Sequence, residues 1–177
     1  DVYKRQELGS RRVSGLQIGT FHSICLHFLR KAGVEFSLAS EAQCRQMAGE
    51  AVSEAGLSVG AGKFLESLSR KQAGLSVYEE ERFRQAEELY KKKKQEMRLL
   101  DFDDLLLETL RLLEGGAPAG KQFTCLLIDE FQDIDPLQYR LVRAWDRDAR
   151  ELFVIGDPNQ SIYGFRGADA GCFERLR

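Results

Sequence analysis

The 177-residue chain has no apolar run approaching the ~18 residues of a membrane-spanning helix. Its opening residues, Asp1-Val2-Tyr3-Lys4-Arg5-Gln6, lack the character of a signal peptide, so a cytoplasmic protein is expected. Neither sign of charge dominates. Lys plus Arg number 26 against 28 Asp plus Glu, a net charge of -2, which excludes a strongly basic nucleic-acid module but leaves room for a local basic groove. Cysteine and histidine are scarce. Cys25, Cys44, Cys125 and Cys172 form no C-x-x-C pair and have only two histidines to help them, which argues against zinc and for reduced thiols filling apolar positions. Hydrophobic residues make up 43% and charged residues 31%, a composition that predicts a folded chain with a charged surface. At about 100–200 residues per domain, the length suits one domain, or one domain with a small insertion. The chain begins with Asp rather than Met, which predicts a fragment.

Leu16-Gln17-Ile18-Gly19-Thr20 alternates and predicts a short strand. Phe21, Ile24, Cys25, Phe28 and Leu29 then follow at helical spacing up to Gly33. From Val34 to Arg98 no strand is predicted, only helices separated by glycines. The last of these helices, from near Tyr78, carries a thin stripe of Phe83, Ala86, Tyr90 and Met97. Its run Lys91-Lys92-Lys93-Lys94 could grip phosphate, but Glu87 and Glu88 stand four residues before Lys91 and Lys92, the arrangement of an exposed helix.

Strand character returns after Asp101. Leu105, Leu106, Leu110 and Leu113 predict a helix ended by Gly115-Gly116, and Phe123 to Ile128 reads as a strand buried on both faces. Asp135-Pro136 supplies a cap and a first-turn proline for a helix carrying Leu137, Leu141, Ala144 and Trp145. Leu152 to Ile155 reads as a second buried strand. Two apolar strands joined by a helix imply an α/β fold with a parallel sheet, whose ligands gather at the C-terminal ends of the strands.

Asp129-Glu130 falls at such an end. Asp129 is a candidate ligand of Mg²⁺ held with nucleotide phosphates, and Glu130 a candidate for orienting or deprotonating the attacking water, although a solvated acidic loop would look the same. Gly156-Asp157-Pro158-Asn159-Gln160-Ser161 follows the second strand, and its turn can present Gln160 to a γ-phosphate. Tyr163-Gly164-Phe165-Arg166-Gly167 interleaves aromatics, arginine and glycine, as a single-stranded nucleic-acid platform requires; core packing is the rival reading for the two rings.

Together, Asp129-Glu130-Phe131-Gln132-Asp133 and the segment from Gly156 to Ala168 closely resemble motifs II (Walker B) and III of superfamily 1A DNA helicases, the family of UvrD, Rep and PcrA. Thr20-Phe21-His22-Ser23 resembles their motif Ib, and Asp101-Phe102-Asp103-Asp104-Leu105-Leu106 the segment leading to motif II. The resemblance implies a RecA-like, P-loop NTPase domain, with residues 1–33 and 99–177 forming part of domain 1A and residues 34–98 a helical 1B-like insertion. It implies ATP and Mg²⁺ as cofactors, with Asp129, Glu130 and Gln160 at the nucleotide. Single-stranded DNA and its junctions with duplex are the implied partners, contacted by Thr20, His22, Tyr163, Phe165 and Arg166. Many relatives carry Trp where this chain has Phe165, and Phe still stacks.

The family's P-loop is absent. Gly115 to Lys121 has the spacing G-x-x-x-x-G-K, but Gln122 replaces Ser or Thr and the segment follows a helix and precedes a strand, the reverse of what phosphate binding needs. The expectation is a monomeric fragment of a 3′-to-5′ helicase acting in DNA repair, replication or recombination. Completing it would take a P-loop segment and a second RecA-like domain from the same polypeptide. The motor of a helicase–nuclease and a degenerate DNA-binding scaffold are the alternatives.

Overall fold

The computed structural model describes residues 16–75, 77, 80–116, 123–147 and 149–157. Helix α1 (Phe21–Lys31) starts where Thr20 caps it, Oγ1 accepting the Ser23 N–H at 3.3 Å, and it ends in a turn closed by Gly33 at φ 77°. Leu16–Thr20 forms no strand, with a bend at Gly19 before the extended Thr20, which corrects the expectation for this segment. A strand exists only through a hydrogen-bonded neighbour, and none pairs with these residues among those described.

Strand β1 (Ser37–Leu38) leads into helices α2 (Glu41–Glu54), α3 (Ala61–Gln72) and α4 (Glu81–Glu96). β1 pairs in parallel with β2 (Leu99–Leu100), so the two ends of the helical stretch meet. That overturns the expectation of no strand between Val34 and Arg98; two residues are too few to display a period of two. Met47, Ala51, Phe64, Leu68, Phe83 and Tyr90 form the buried centre of this unit. Met97, placed on the apolar stripe by its spacing, is instead 56% exposed, because α4 stops at Glu96 and Met97 is its C-cap.

The lysine run is occupied by carboxylates. Lys91 pairs with Glu87, Lys93 with Glu50 and Glu54, and Lys94, only 3% exposed, with Asp101 and Asp104. Glu87 also holds Lys71 of α3 at 2.7 Å, and Lys93 and Lys94 tie α4 to α2 and to the start of α5, whereas Lys92 stays exposed with Glu96 3.9 Å away.

Helix α5 (Phe102–Glu114) begins with a capping box between Asp101 and Asp104 and has its end at Gly115-Gly116, the one boundary its sequence predicts. β3 (Cys125–Ile128), a short 3₁₀ turn (Phe131–Asp133), α6 (Pro136–Asp146) and β4 (Glu151–Val154) make a β-α-β unit whose strands pair in parallel, Ile128 opposite Val154. Asp135 and Gln138 form the capping box of α6, with Pro136 in the first turn. Leu29 of α1, Leu105 and Leu110 of α5, Leu126 of β3 and Leu141 and Trp145 of α6 share one core, in which Phe21 stacks on Trp145 at 5.8 Å.

The two strands are buried on one face only. Leu127, Phe153 and Ile155 are 67%, 53% and 53% exposed, since α5 and α6 cover one side and no layer covers the other among the described residues. Of the thiols, Cys25 is buried and pushed up to about 11, mainly by burial. Cys125 is exposed, contrary to the apolar placement expected, because it starts the uncovered strand pair.

Candidate nucleotide site at the end of β3

β3 delivers Asp129 and Glu130, both exposed, to its C-terminal end beside that of β4. Glu130 adopts a left-handed conformation, φ 53° and ψ 42°. A residue with a Cβ enters that region at a cost on the order of 1–3 kcal/mol, sustained only where neighbours fix it. Here they do. The Phe131 N–H donates to the Ile155 carbonyl at 2.9 Å, the Ile155 N–H to Ile128 at 2.8 Å, and the Asp133 N–H to Glu130 at 2.9 Å. Phe131, Ile134 and Val142 are buried in a small cluster against Phe21, Ile128 and Val154, which anchors the turn from below. The left-handed residue therefore reverses the chain at the strand end before it proceeds to α6.

Polar contacts then orient the acidic pair. Asp129 Oδ1 accepts the Glu130 N–H at 3.0 Å. Gln132, only 2% exposed, donates from Nε2 to Glu130 Oε2 at 2.7 Å and accepts the Asp157 N–H on Oε1 at 3.0 Å. Sequence reasoning quoted Gln132 within its motif but assigned it no task. Among the described residues no group of three or more His, Cys, Asp or Glu is arranged to hold a metal unaided.

Thr20 and His22 lie at the start of α1, which Phe21 packs against both the main core and the turn cluster. Thr20 is exposed and caps its helix. His22 is half-buried, edge-on to Phe102 at 5.3 Å. Burial holds its imidazole below the ordinary value, and the carboxylates of Asp103 and Asp135 offset this only in part. The folded state therefore resists protonating His22, and stability is lost as pH falls below the unfolded value of about 6.5. Between pH 7.5 and 5.5 the melting midpoint of the chain is expected to fall further than that of His22→Gln. Equal falls would show that the imidazole is solvated. Gln160, Tyr163, Phe165 and Arg166 lie outside the described residues.

The UvrD/REP helicase N-terminal domain model matches residues 57–177. Among curated relatives, ATP-dependent DNA helicase UvrD2 of Mycobacterium tuberculosis is 49% identical over 74 residues, 40% of this chain and 11% of that protein. ATP-dependent DNA helicase srs2 of Schizosaccharomyces pombe is 45% identical over 71 residues, 40% of this chain and 8% of its own length. RecBCD enzyme subunit RecB of Mycobacterium tuberculosis is 43% identical over 84 residues, 44% of this chain and 8% of that subunit. The matched stretches are thus a small part of each relative. The family model spans well over half of the chain and includes the acidic turn, the β-α-β unit and α4 and α5, and on that extent the protein belongs to the UvrD/REP helicase N-terminal domain family.

Proposed function

We propose that this chain is part of an ATP-dependent DNA helicase that translocates 3′ to 5′ on single-stranded DNA during repair, replication or recombination. The observation that carries the reading is the acidic turn. In a chain of helicase family, two exposed carboxylates sit at the C-terminal end of a parallel strand, where open α/β sheets bind ligands. Residues 1–33 and 99–177 would form part of RecA-like domain 1A, and residues 34–98 a 1B-like insertion. The separate apolar centres of α2–α4 and of α1, α5 and α6 support that division.

The donor set suits Mg²⁺. That ion keeps several waters and is ordinarily held by one or two carboxylates together with substrate phosphates, so a lone exposed aspartate without a protein cage is the appropriate donor. Asp129 would hold it. Bound with ATP, the ion neutralises charge on the phosphate oxygens. Glu130 then aligns the attacking water and takes its proton on a carboxylate oxygen, while Gln160 contacts the γ-phosphate. Thr20 and His22 would meet the DNA strand from the start of α1, and Tyr163, Phe165 and Arg166 would stack and pair with bases and phosphates.

Helicase action requires coupling of hydrolysis to DNA. The full-length protein is expected to hydrolyse ATP many-fold faster with single-stranded DNA than without it, and residues 1–177 alone to show no turnover in a phosphate-release assay. Robust turnover by residues 1–177 would sink the fragment reading, and hydrolysis indifferent to DNA would sink the helicase reading. The likeness to RecB favours, as a second reading, the motor of a helicase–nuclease. A metal-dependent nuclease activity in the full-length protein would select it.

A further inference from the structure

The buried amide of Gln132 joins the two strand ends of the site. Its orientation is determined by its partners: a carboxylate can only accept, so Nε2 must face Glu130, and a backbone N–H can only donate, so Oε1 must face Asp157. The side chain is 2% exposed and spans from the turn after β3 to the segment after β4, 25 residues apart in sequence. Glu130 itself is exposed and sits in a left-handed residue, so its backbone alone leaves the carboxylate several rotamers. The bond from Gln132 Nε2 restricts that freedom, and it does so from a group whose other end is fixed to the Asp157 backbone.

We infer that Gln132 is a positioning residue which aims the Glu130 carboxylate and ties that aim to the backbone at Asp157, so that movement of the segment after β4 is transmitted to the residue that activates water. The inference rests on the proposed role of Glu130. Asp157 immediately precedes the stretch that carries Gln160, the proposed γ-phosphate contact. A shift of this segment on nucleotide binding therefore has a direct mechanical route to Glu130: Asp157 N–H to Oε1, through the rigid amide plane, and from Nε2 to Oε2. The link is a charge-assisted hydrogen bond on the Glu130 side, the stronger class of such contacts.

Three variants of the full-length protein test this. Gln132→Glu keeps the shape and the acceptor for Asp157 but replaces the donor facing Glu130 with a like charge; Gln132→Met keeps volume and loses both bonds. Each is expected to lower DNA-stimulated kcat tenfold or more while the KM for ATP stays within about twofold, with Gln132→Glu the more damaged of the two. Gln132→Asn, which retains a donor, is expected to recover part of the rate. Single-turnover hydrolysis in a Glu130→Gln background supplies the readout that mere packing would not move: adding Gln132→Met there should cost no further rate, because both changes act through one carboxylate. Wild-type kcat in Gln132→Glu, or fully additive losses in the double variant, overturns the inference. Should Gln132→Met fail to fold, the kcat of the near-isosteric Gln132→Glu decides alone. If Glu130→Gln itself retains turnover, the underlying assignment of Glu130 has failed; if only the Gln132 variants are silent, the positioning role has.

Discussion

Glu130→Gln in the full-length protein is expected to abolish multiple-turnover ATP hydrolysis, by roughly 10²–10⁴-fold, while leaving ATP and DNA binding intact. The size of the effect follows from chemistry. Water is a poor nucleophile until a base begins to remove its proton, and an amide oxygen has no useful basicity at neutral pH. Geometry, by contrast, is preserved. The substituted side chain has the same length, its amide oxygen can still accept from Gln132 Nε2, and the left-handed backbone is held by bonds from Phe131 and Asp133 that the change does not touch. Filter binding with radiolabelled ATP and fluorescence anisotropy with single-stranded DNA should therefore match the wild type. Turnover within a few-fold of wild type would make Glu130 a structural acid. Loss of nucleotide binding together with turnover would instead assign Glu130 to the phosphate cradle.

The position of that carboxylate was legible in the sequence; its aim was not. A near-continuous apolar run ending at Ile128, the Asp135-Pro136 cap and a second apolar run from Leu152 are local signals, and each element formed where those signals lie. Burial of both faces of the strands was not to be had from them, because coverage of Leu127 and Phe153 depends on which other layers are present. Gln132 escaped for a different reason. Its bond to Asp157 crosses 25 residues, and its approach to Glu130 exists only because one non-glycine residue turns left-handed. Lys94 was hidden behind three identical neighbours, yet a signal was available. It stands four residues after Tyr90 and eight after Ala86, on the apolar face of α4, whereas Lys91 and Lys92 turn outward.

That face makes Lys94 a position where a single change should cost several kcal/mol, about 3–5, of stability. Its ammonium lies 2.6 Å from Asp101 Oδ2, bonds Asp104 Oδ2 as well, and sits 4.6 Å from the Tyr90 ring centroid, while the Tyr90 hydroxyl donates to Asp101 at 3.0 Å. Both carboxylates are simultaneously the capping box of α5, so they cannot swing away to water without uncapping that helix. Burial pulls the ammonium down, but Asp101 and Asp104 outweigh it and hold it above its ordinary value. Burial likewise raises Asp101, and Lys94 more than reverses this, whereas Asp104 stays above its ordinary value through burial and its acidic neighbour. Lys94→Met is therefore expected to lower unfolding free energy by about 3–5 kcal/mol, the usual cost of stranding a buried partner. The dependence on pH has a definite sign. In the wild type the Asp101 contribution is present above its unfolded value of about 3.9 and is lost as pH falls through its lower folded value. In Lys94→Met both carboxyls are penalised when ionised, so acid relieves the variant more than the wild type, whose Asp101 contribution persists down to about pH 3.9, and the gap between them narrows toward pH 4.5. Lys94→Met combined with Asp101→Asn and Asp104→Asn removes the stranded charges but keeps side chains able to cap α5, and should regain much of the loss at neutral pH. Urea midpoints at pH 7 and pH 4.5, with the slope unchanged, measure all three chains. A Lys94→Met loss below about 1 kcal/mol at pH 7 would place the cluster in the class of solvated surface pairs, and a gap that widens in acid would contradict the charge account altogether.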